Sequence, residues 1–230
     1  MKFTKSLIKG SLINRYKRFF VDVKLNKEIV TAHCPNTGSM MGLLDEGNVV
    51  YISKNNDLKR KLKYTLEIIK VKKNLVGVNT HFANKIVYHG LLNNLIKEIS
   101  NNDKIKPEVF YDKETRFDFF IEKNNQKIFT EVKNVTMSRN LKIAEFPDSI
   151  TARGSRHLKT LIDASKKGYK TYLLFLVQIQ GIESLKIAKD IDKEYYQNYL
   201  LAKKAGVIFL AYRCKISTKE IKIEKKIKIL

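Results

Sequence analysis

What this 230-residue chain has little of narrows its chemistry first. Its two cysteines, Cys34 and Cys214, lie far apart and follow no metal-ligand spacing. That pattern argues against a disulfide framework or a zinc finger and for reduced thiols in a cytoplasmic protein. No apolar run approaches the ~20 residues needed to span a bilayer. One of the longest, Tyr172 to Val177, reads as a buried strand, and Lys9 and Gly10 interrupt the amino terminus before a signal-peptide core can form. No membrane partner is expected. Proline and glycine are sparse, at 3 and 10 residues, and form no linker. A Walker-type glycine loop and a Gly-x-Ser-x-Gly elbow are missing, which removes the ATPase and hydrolase-elbow readings. Acids are scarce as well. The chain carries 23 acidic against 45 basic residues, a formal net charge of +22. Such a surplus points to a polyanionic partner, nucleic acid first. Of the basic residues 37 are lysine and 8 arginine, in a chain also rich in Asn and Ile. Part of the lysine excess therefore reflects the codon bias of an AT-rich genome, but the shortage of acids does not.

The order of patterns predicts an amino-terminal OB-like β-barrel over residues 1–82 and an α/β domain with a central mixed sheet over 83–230. Up to Thr80 the apolar runs are short and strand-like: Phe19 to Leu25, Glu28 to Cys34, Val49 to Ile52, Tyr64 to Val71 and Leu75 to Val78. Turn formers separate them, which suits a small barrel. From His81 to Ser100 the period becomes helical. Strands follow around Glu108 to Phe110, Thr115 to Ile121 and Gln126 to Val135. A helix over Ser149–Lys166, a strand over Lys170–Ile179, a helix over Asp192–Lys204 and a strand over Gly206–Arg213 complete the domain, and Lys219–Leu230 reads as an edge strand.

Two segments carry the candidate chemistry, Arg116-Phe117-Asp118-Phe119-Phe120 and Thr130-Glu131-Val132-Lys133. Strand alternation sends Glu131 and Lys133 to one face and Val132 to the other. If the two runs pair as a hairpin, Asp118 lies beside Glu131. Two carboxylates and an ammonium would then converge, as in a phosphodiesterase that binds Mg²⁺ or Mn²⁺ through oxygen. The plainer alternative is a solvated strand face of alternating charge. Arg153, Arg156 and His157 sit on a predicted helix, with Arg153 and His157 four residues apart on one face, within reach of a phosphate backbone. In the first domain Arg15, Lys17 and Arg18 adjoin Tyr16, Phe19 and Phe20 on what reads as a basic, aromatic strand able to track phosphates and stack bases. The loop from His33 to Met40 offers backbone donors that could cradle a phosphate or pack against the second domain. Asp148 or Ser149, after Pro147, reads as a helix N-cap.

Arg15-Tyr16-Lys17-Arg18-Phe19, His33-Cys34-Pro35-Asn36-Thr37-Gly38-Ser39-Met40, Val78-Asn79-Thr80, Arg116-Phe117-Asp118-Phe119, Glu131-Val132-Lys133-Asn134-Val135-Thr136 and Phe146-Pro147-Asp148-Ser149, followed by Thr151-Ala152-Arg153-Gly154 and His157-Leu158, resemble in order the sugar fermentation stimulation protein family (SfsA). The resemblance implies an OB-like domain joined to a PD-(D/E)XK, restriction-endonuclease-like domain, DNA binding, and a link to the regulation of sugar metabolism, maltose in particular. It also implies that Asp118 is the isolated acid of the second core strand, that Glu131 and Lys133 are the Glu-x-Lys of the third, and that Glu98 completes the metal site. The expected function is a DNA-binding protein with a divalent-metal nuclease site. The alternative is a non-catalytic DNA-binding regulator of sugar-metabolism genes. A homodimer and an RNA-processing role stay open.

Overall fold

The computed structural model describes every residue except Leu58, Glu114 and Leu141. Five antiparallel-linked strands, β1 (Ile8–Tyr16), β2 (Phe20–Leu25), β3 (Glu28–His33), β4 (Val49–Lys54) and β5 (Tyr64–Val71), form the first sheet. Parallel pairing of Ala32 with Tyr64 and His33 with Thr65 closes it into a barrel, and β6 (Asn74–Gly77) adds to β5. Closure leaves the inward residues Leu12, Val21, Val23, Val50, Ile52 and Leu66 almost without solvent contact. The barrel is OB-like, as its runs and turns predict.

The second domain begins with α1 (Ala83–Leu92), continues through β7 (Lys104–Phe110), β8 (Arg116–Lys123), β9 (Gln126–Val135), β10 (Met137–Asn140), β11 (Ile143–Phe146) and α2 (Ala152–Lys166), and ends with β12 (Lys170–Val177), β13 (Ser184–Ile187), α3 (Lys193–Lys204), β14 (Ile208–Ile216), β15 (Ile221–Lys226) and β16 (Lys228–Ile229). The main sheet has the order β15-β14-β12-β9-β8-β7, and β10-β11-β13-β16 form a smaller one. In the main sheet β12 runs parallel to both β9 and β14, and the outer pairings are antiparallel. The sheet is mixed. β12, at its centre, is buried from Thr171 to Val177 because both faces are covered.

One face packs under α1, where Ile86, Val87 and Leu91 meet Phe119, Val132, Leu174 and Tyr212. The opposite face packs under α2 and α3, and its core runs without a break into the barrel interior. Among the described residues no helix is long and apolar enough to cross a membrane.

Three local expectations need correction. The helix predicted over His81–Ser100 is shorter: α1 stops at Leu92, and Lys97–Ile99 is a separate 3-10 turn. Asn94 ends it in a left-handed conformation (φ 54), which brings the Leu95 N–H onto the Gly90 carbonyl. The periodicity beyond it comes from Ile96 and Ile99, which turn back into the same core, and from Leu95, which stays exposed. Thr151, not Asp148 or Ser149, caps α2, its Oγ1 accepting from the Gly154 N–H at 2.9 Å. Finally, the Arg15–Arg18 segment is strand only in its first half: Arg15 and Tyr16 end β1, and Lys17 and Arg18 form a hairpin tip. Lys17 and Arg18 take left-handed φ of 47 and 62 between the paired Tyr16 and Phe20.

Arg15 serves that tip. Its guanidinium donates to the Arg18 carbonyl at 2.9 and 3.1 Å and to the Asn36 carbonyl at 2.8 Å. It clamps the tip to the loop that follows β3. Replacing Arg15 by Ala should cost about 0.5–1.5 kcal/mol, because water takes its place at the exposed Arg18 carbonyl and only the Asn36 carbonyl is partly shielded. The midpoint of urea denaturation reads this loss. An unchanged midpoint would mean that the clamp contributes nothing.

Candidate active site

The β8–β9 hairpin turns at Asn124 and Asn125, both with positive φ (49 and 63), the conformation a two-residue hairpin turn requires. Its ladder pairs residues from Lys123 with Gln126 up to Phe119 with Thr130. Beyond that point the Asp118 carboxylate takes the place of a backbone partner: Oδ2 accepts the Val132 N–H at 2.7 Å. Oδ1 accepts from the Asn84 side chain of α1, also at 2.7 Å. Asp118 thus sits where the strands part, held from both sides.

Glu131 points to the opposite face from Val132 and is only 3% exposed. Its Oε1 meets the Lys133 ammonium at 2.8 Å and also contacts His157 Nδ1. Lys133 Nζ is 3.2 Å from the same ring nitrogen, and Arg153 Nε donates to His157 Nε2 at 3.4 Å. That last bond makes Nε2 the acceptor, so the network assigns the ring proton to Nδ1, facing Glu131. Glu131 Oε2 is buried with no hydrogen-bond partner.

The two acids are set apart electrostatically. Burial, and then the charge of Glu131, push the Asp118 carboxyl up to about 6, and its bonds to Val132 and Asn84 offset only part of this. Burial would raise Glu131 too, but Lys133 and His157 outweigh it and hold Glu131 below the usual carboxylate range. The negative charge of Asp118 is therefore poorly compensated, the condition a bound cation would relieve.

Two grooves flank Asp118. One, of about 1070 Å³, runs past Phe110, Arg116, Arg153, Arg156, His157 and Lys159. The other, of about 800 Å³, runs past His81, Asn84, Lys85 and Tyr88. Glu108, Asp118 and Arg153 line both.

The structure brings Asp118, Glu131, Lys133, Arg153 and His157 together, with Arg156 on the groove wall. It does not bring Glu98 to them. Glu98 accepts from the Tyr212 hydroxyl at 2.6 Å and pairs with Lys226 at 2.5 Å. Tyr212 shares the α1 face of the sheet, while Glu131 lies on the α2 face. Glu98 is thus a surface ion pair above β14 and β15, not a ligand beside Asp118. Among the described residues no group of three or more His, Cys, Asp or Glu side chains is arranged to hold a metal. Lys17 and Arg18 line neither groove.

The loop from His33 to Met40 packs against the second domain instead of cradling an anion. Ser39 Oγ donates to the Asp148 carbonyl at 2.7 Å and the Met40 N–H donates to the Asp148 carboxylate at 3.3 Å, while Thr80, just before the second domain, donates to the Pro35 carbonyl at 2.8 Å. Any side chain at Gly38 would meet the Asp148 carboxylate at 2.6 Å.

Comparison with known proteins agrees with this architecture. The family domain described as the SfsA N-terminal OB domain matches residues 13–78, and the sugar fermentation stimulation protein RE domain matches residues 81–220. The chain belongs to the sugar fermentation stimulation protein family. A homolog of that name from Pelagibacter ubique (strain HTCC1062) is 79% identical over 230 residues, covering 100% of this chain and 99% of that protein. One from Alteromonas mediterranea is 42% identical, covering 100% of both. The solved structure of Pyrococcus furiosus SfsA in complex with Ca²⁺ superposes with a TM-score of 0.90 at 24% identity, over 100% of this chain and 98% of that one. The family's fold, an OB-like barrel followed by a restriction-endonuclease-like domain, is the fold described above.

Within this family member, two residues at the site escaped sequence reading. Asn84 carries no local motif, and only the packing of α1 brings it to Asp118. Glu108 lies across from Asp118, between the paired positions Pro107–Phe119 and Val109–Phe117, with a left-handed φ of 54. Its ion pair with Arg116 at 3.0 Å is an (i, i+8) contact across a hairpin. A strand prediction starting at Glu108 gave no sign of it.

Proposed function

We propose that this chain hydrolyses phosphodiester bonds of nucleic acid, DNA first, with a divalent cation such as Mg²⁺ or Mn²⁺ held by Asp118 and Glu131. The observation that carries the reading is Glu131 Oε2, an ionised carboxylate oxygen buried without a partner. Buried polar atoms are rarely left so. An oxygen-seeking cation is the natural occupant of a position between it and Asp118, whose proton affinity the same charge would lower. The Pyrococcus relative's Ca²⁺ is a cation of that hard class.

When bound, such a cation supplies Lewis acidity and a water of lowered pKa. The chain's own residues do the rest. Lys133, held at Glu131, places an ammonium where charge builds on the phosphate or its attacking water. His157 keeps its Nδ1 proton on Glu131, and Arg153 fixes the ring from its other side. Arg156 and Lys159, on the groove wall, neutralise the flanking phosphates. Incubation with single- and double-stranded DNA and RNA, with and without Mn²⁺ or Mg²⁺, tests the reading. Binding without cleavage under every condition would replace it with the regulatory DNA binder, acting from the same groove.

Binding itself should be mostly electrostatic. With +22 charges and a basic groove, log K should fall linearly with log salt, with a slope of several units. Arg156→Ala should weaken every sequence alike and reduce that slope by about one. A flat salt response, or a strong preference for one operator sequence, would contradict this.

A further inference from the structure

One aromatic side chain in the groove bears on the form of nucleic acid that the proposed nuclease takes, and the inference rests on that reading. Phe110 ends β7 and is 67% exposed. The next residue, Tyr111, turns inward onto Phe117 and Phe129 at 5.5 and 5.3 Å, whereas Phe110 stays outside that cluster. The Arg116 guanidinium lies over its ring, 5.8 Å from the centroid, and Glu108 in turn holds Arg116.

A single exposed apolar residue on a protein surface is ordinary. The surroundings distinguish this one. Phe110 lines the groove that opens on Asp118 and His157, and the other charged groups there are Arg116, Arg153, Arg156 and Lys159 against Asp118 and the already paired Glu108. A protein ligand would need acids to match those cations and an apolar anchor to match the ring. A polynucleotide offers both at once: phosphates for the cations, and a base face for a ring already backed by a guanidinium. Within a duplex the base faces are covered by their neighbours, so away from its two ends only an unpaired base can present one.

We infer that Phe110 stacks an unpaired base in the groove beside Asp118, next to a phosphate held by the groove's arginines, so that the groove takes single-stranded nucleic acid in preference to blunt duplex. The chain has no tryptophan, so Phe110→Trp places a lone indole reporter in the groove. Titration without divalent cation, so that nothing is cut, uses oligothymidylate and a blunt DNA duplex of equal length. The indole emission should be quenched to saturation by the single strand and left unchanged by the duplex. By fluorescence anisotropy with labelled strands, Phe110→Ala should bind the single strand about tenfold more weakly and the duplex as wild type does. Because the side chain is exposed, both variants should melt with wild type. If wild type binds the single strand while the indole does not respond and Phe110→Ala binds equally well, this inference falls and the nuclease reading stands. If wild type binds neither nucleic acid, both fall.

Discussion

Millimolar Mn²⁺ or Mg²⁺ should raise the melting temperature of the wild-type protein and leave that of Asp118→Asn unchanged. A ligand that binds only the native state stabilises it by about 2.7 kcal/mol at a hundred times its Kd. For a chain of this length that is a rise of about 5–10 °C. The pH dependence of the cation-free proteins supplies an independent reading. The folded Asp118 carboxyl titrates at about 6, against 3.8 when unperturbed. A carboxyl raised on folding contributes stability that is fully present below the unperturbed value and is lost as pH rises through the folded one. Wild type should therefore lose this contribution between about pH 4 and 7, and Asp118→Asn should not. Without cation, at pH 8, the variant should be the more stable protein by about 1–3 kcal/mol. The hydrogen bonds from Val132 and Asn84 keep the gain at the lower end, since an amide can accept only one of them well. At pH 4 the two should converge. A wild-type melting temperature indifferent to both cations would remove the metal site, and with it the nuclease reading.

How much of this was legible in the sequence depended on how local each determinant is. The closeness of Asp118 to Glu131, and the shared face of Glu131 and Lys133, follow from strand alternation and a polar hairpin turn, so they could be read from neighbouring residues. Barrel and sheet followed from run length and turn formers for the same reason. The failures are contacts set by distant chain. Glu98 has a helical-period neighbourhood in either reading, and only the early stop of α1 at Asn94 turns it to Tyr212 and Lys226 on the far face. The bond from Arg15 to the Asn36 carbonyl, 21 residues on, was likewise invisible in the local sequence. The smaller sheet is made of strands of 4, 4, 4 and 2 residues, too short for any period to register. His157 was placed on the correct helix face by its spacing from Arg153. Its tie to Glu131 depends on α2 crossing β9, which no spacing within the helix encodes.

Lys133→Ala should separate chemistry from metal binding. Asp118 and Glu131 Oε2 remain, so the cation-driven rise in melting temperature should persist, while cleavage should fall by about 10²–10³-fold, the usual loss when one positioned donor to a developing negative charge is removed. The substitution also takes one of two partners from a carboxylate that is 3% exposed. Removing one partner of a buried pair costs about 3–5 kcal/mol when nothing replaces it. His157 Nδ1 stays on Glu131 Oε1, so the cost here should fall below that range, and a cation should recover part of it. A fold-only role for Lys133 would give a different pattern: reduced stability that the cation fully restores, with cleavage restored alongside. Lys133→Arg resolves the remaining ambiguity, because it keeps the charge against Glu131 but spreads it over a planar fork that cannot reproduce a compact ammonium. It should keep most of the stability and little of the activity. Wild-type cleavage by Lys133→Ala would mean that the ammonium serves Glu131 alone and that the groove's arginines carry the phosphate charge by themselves.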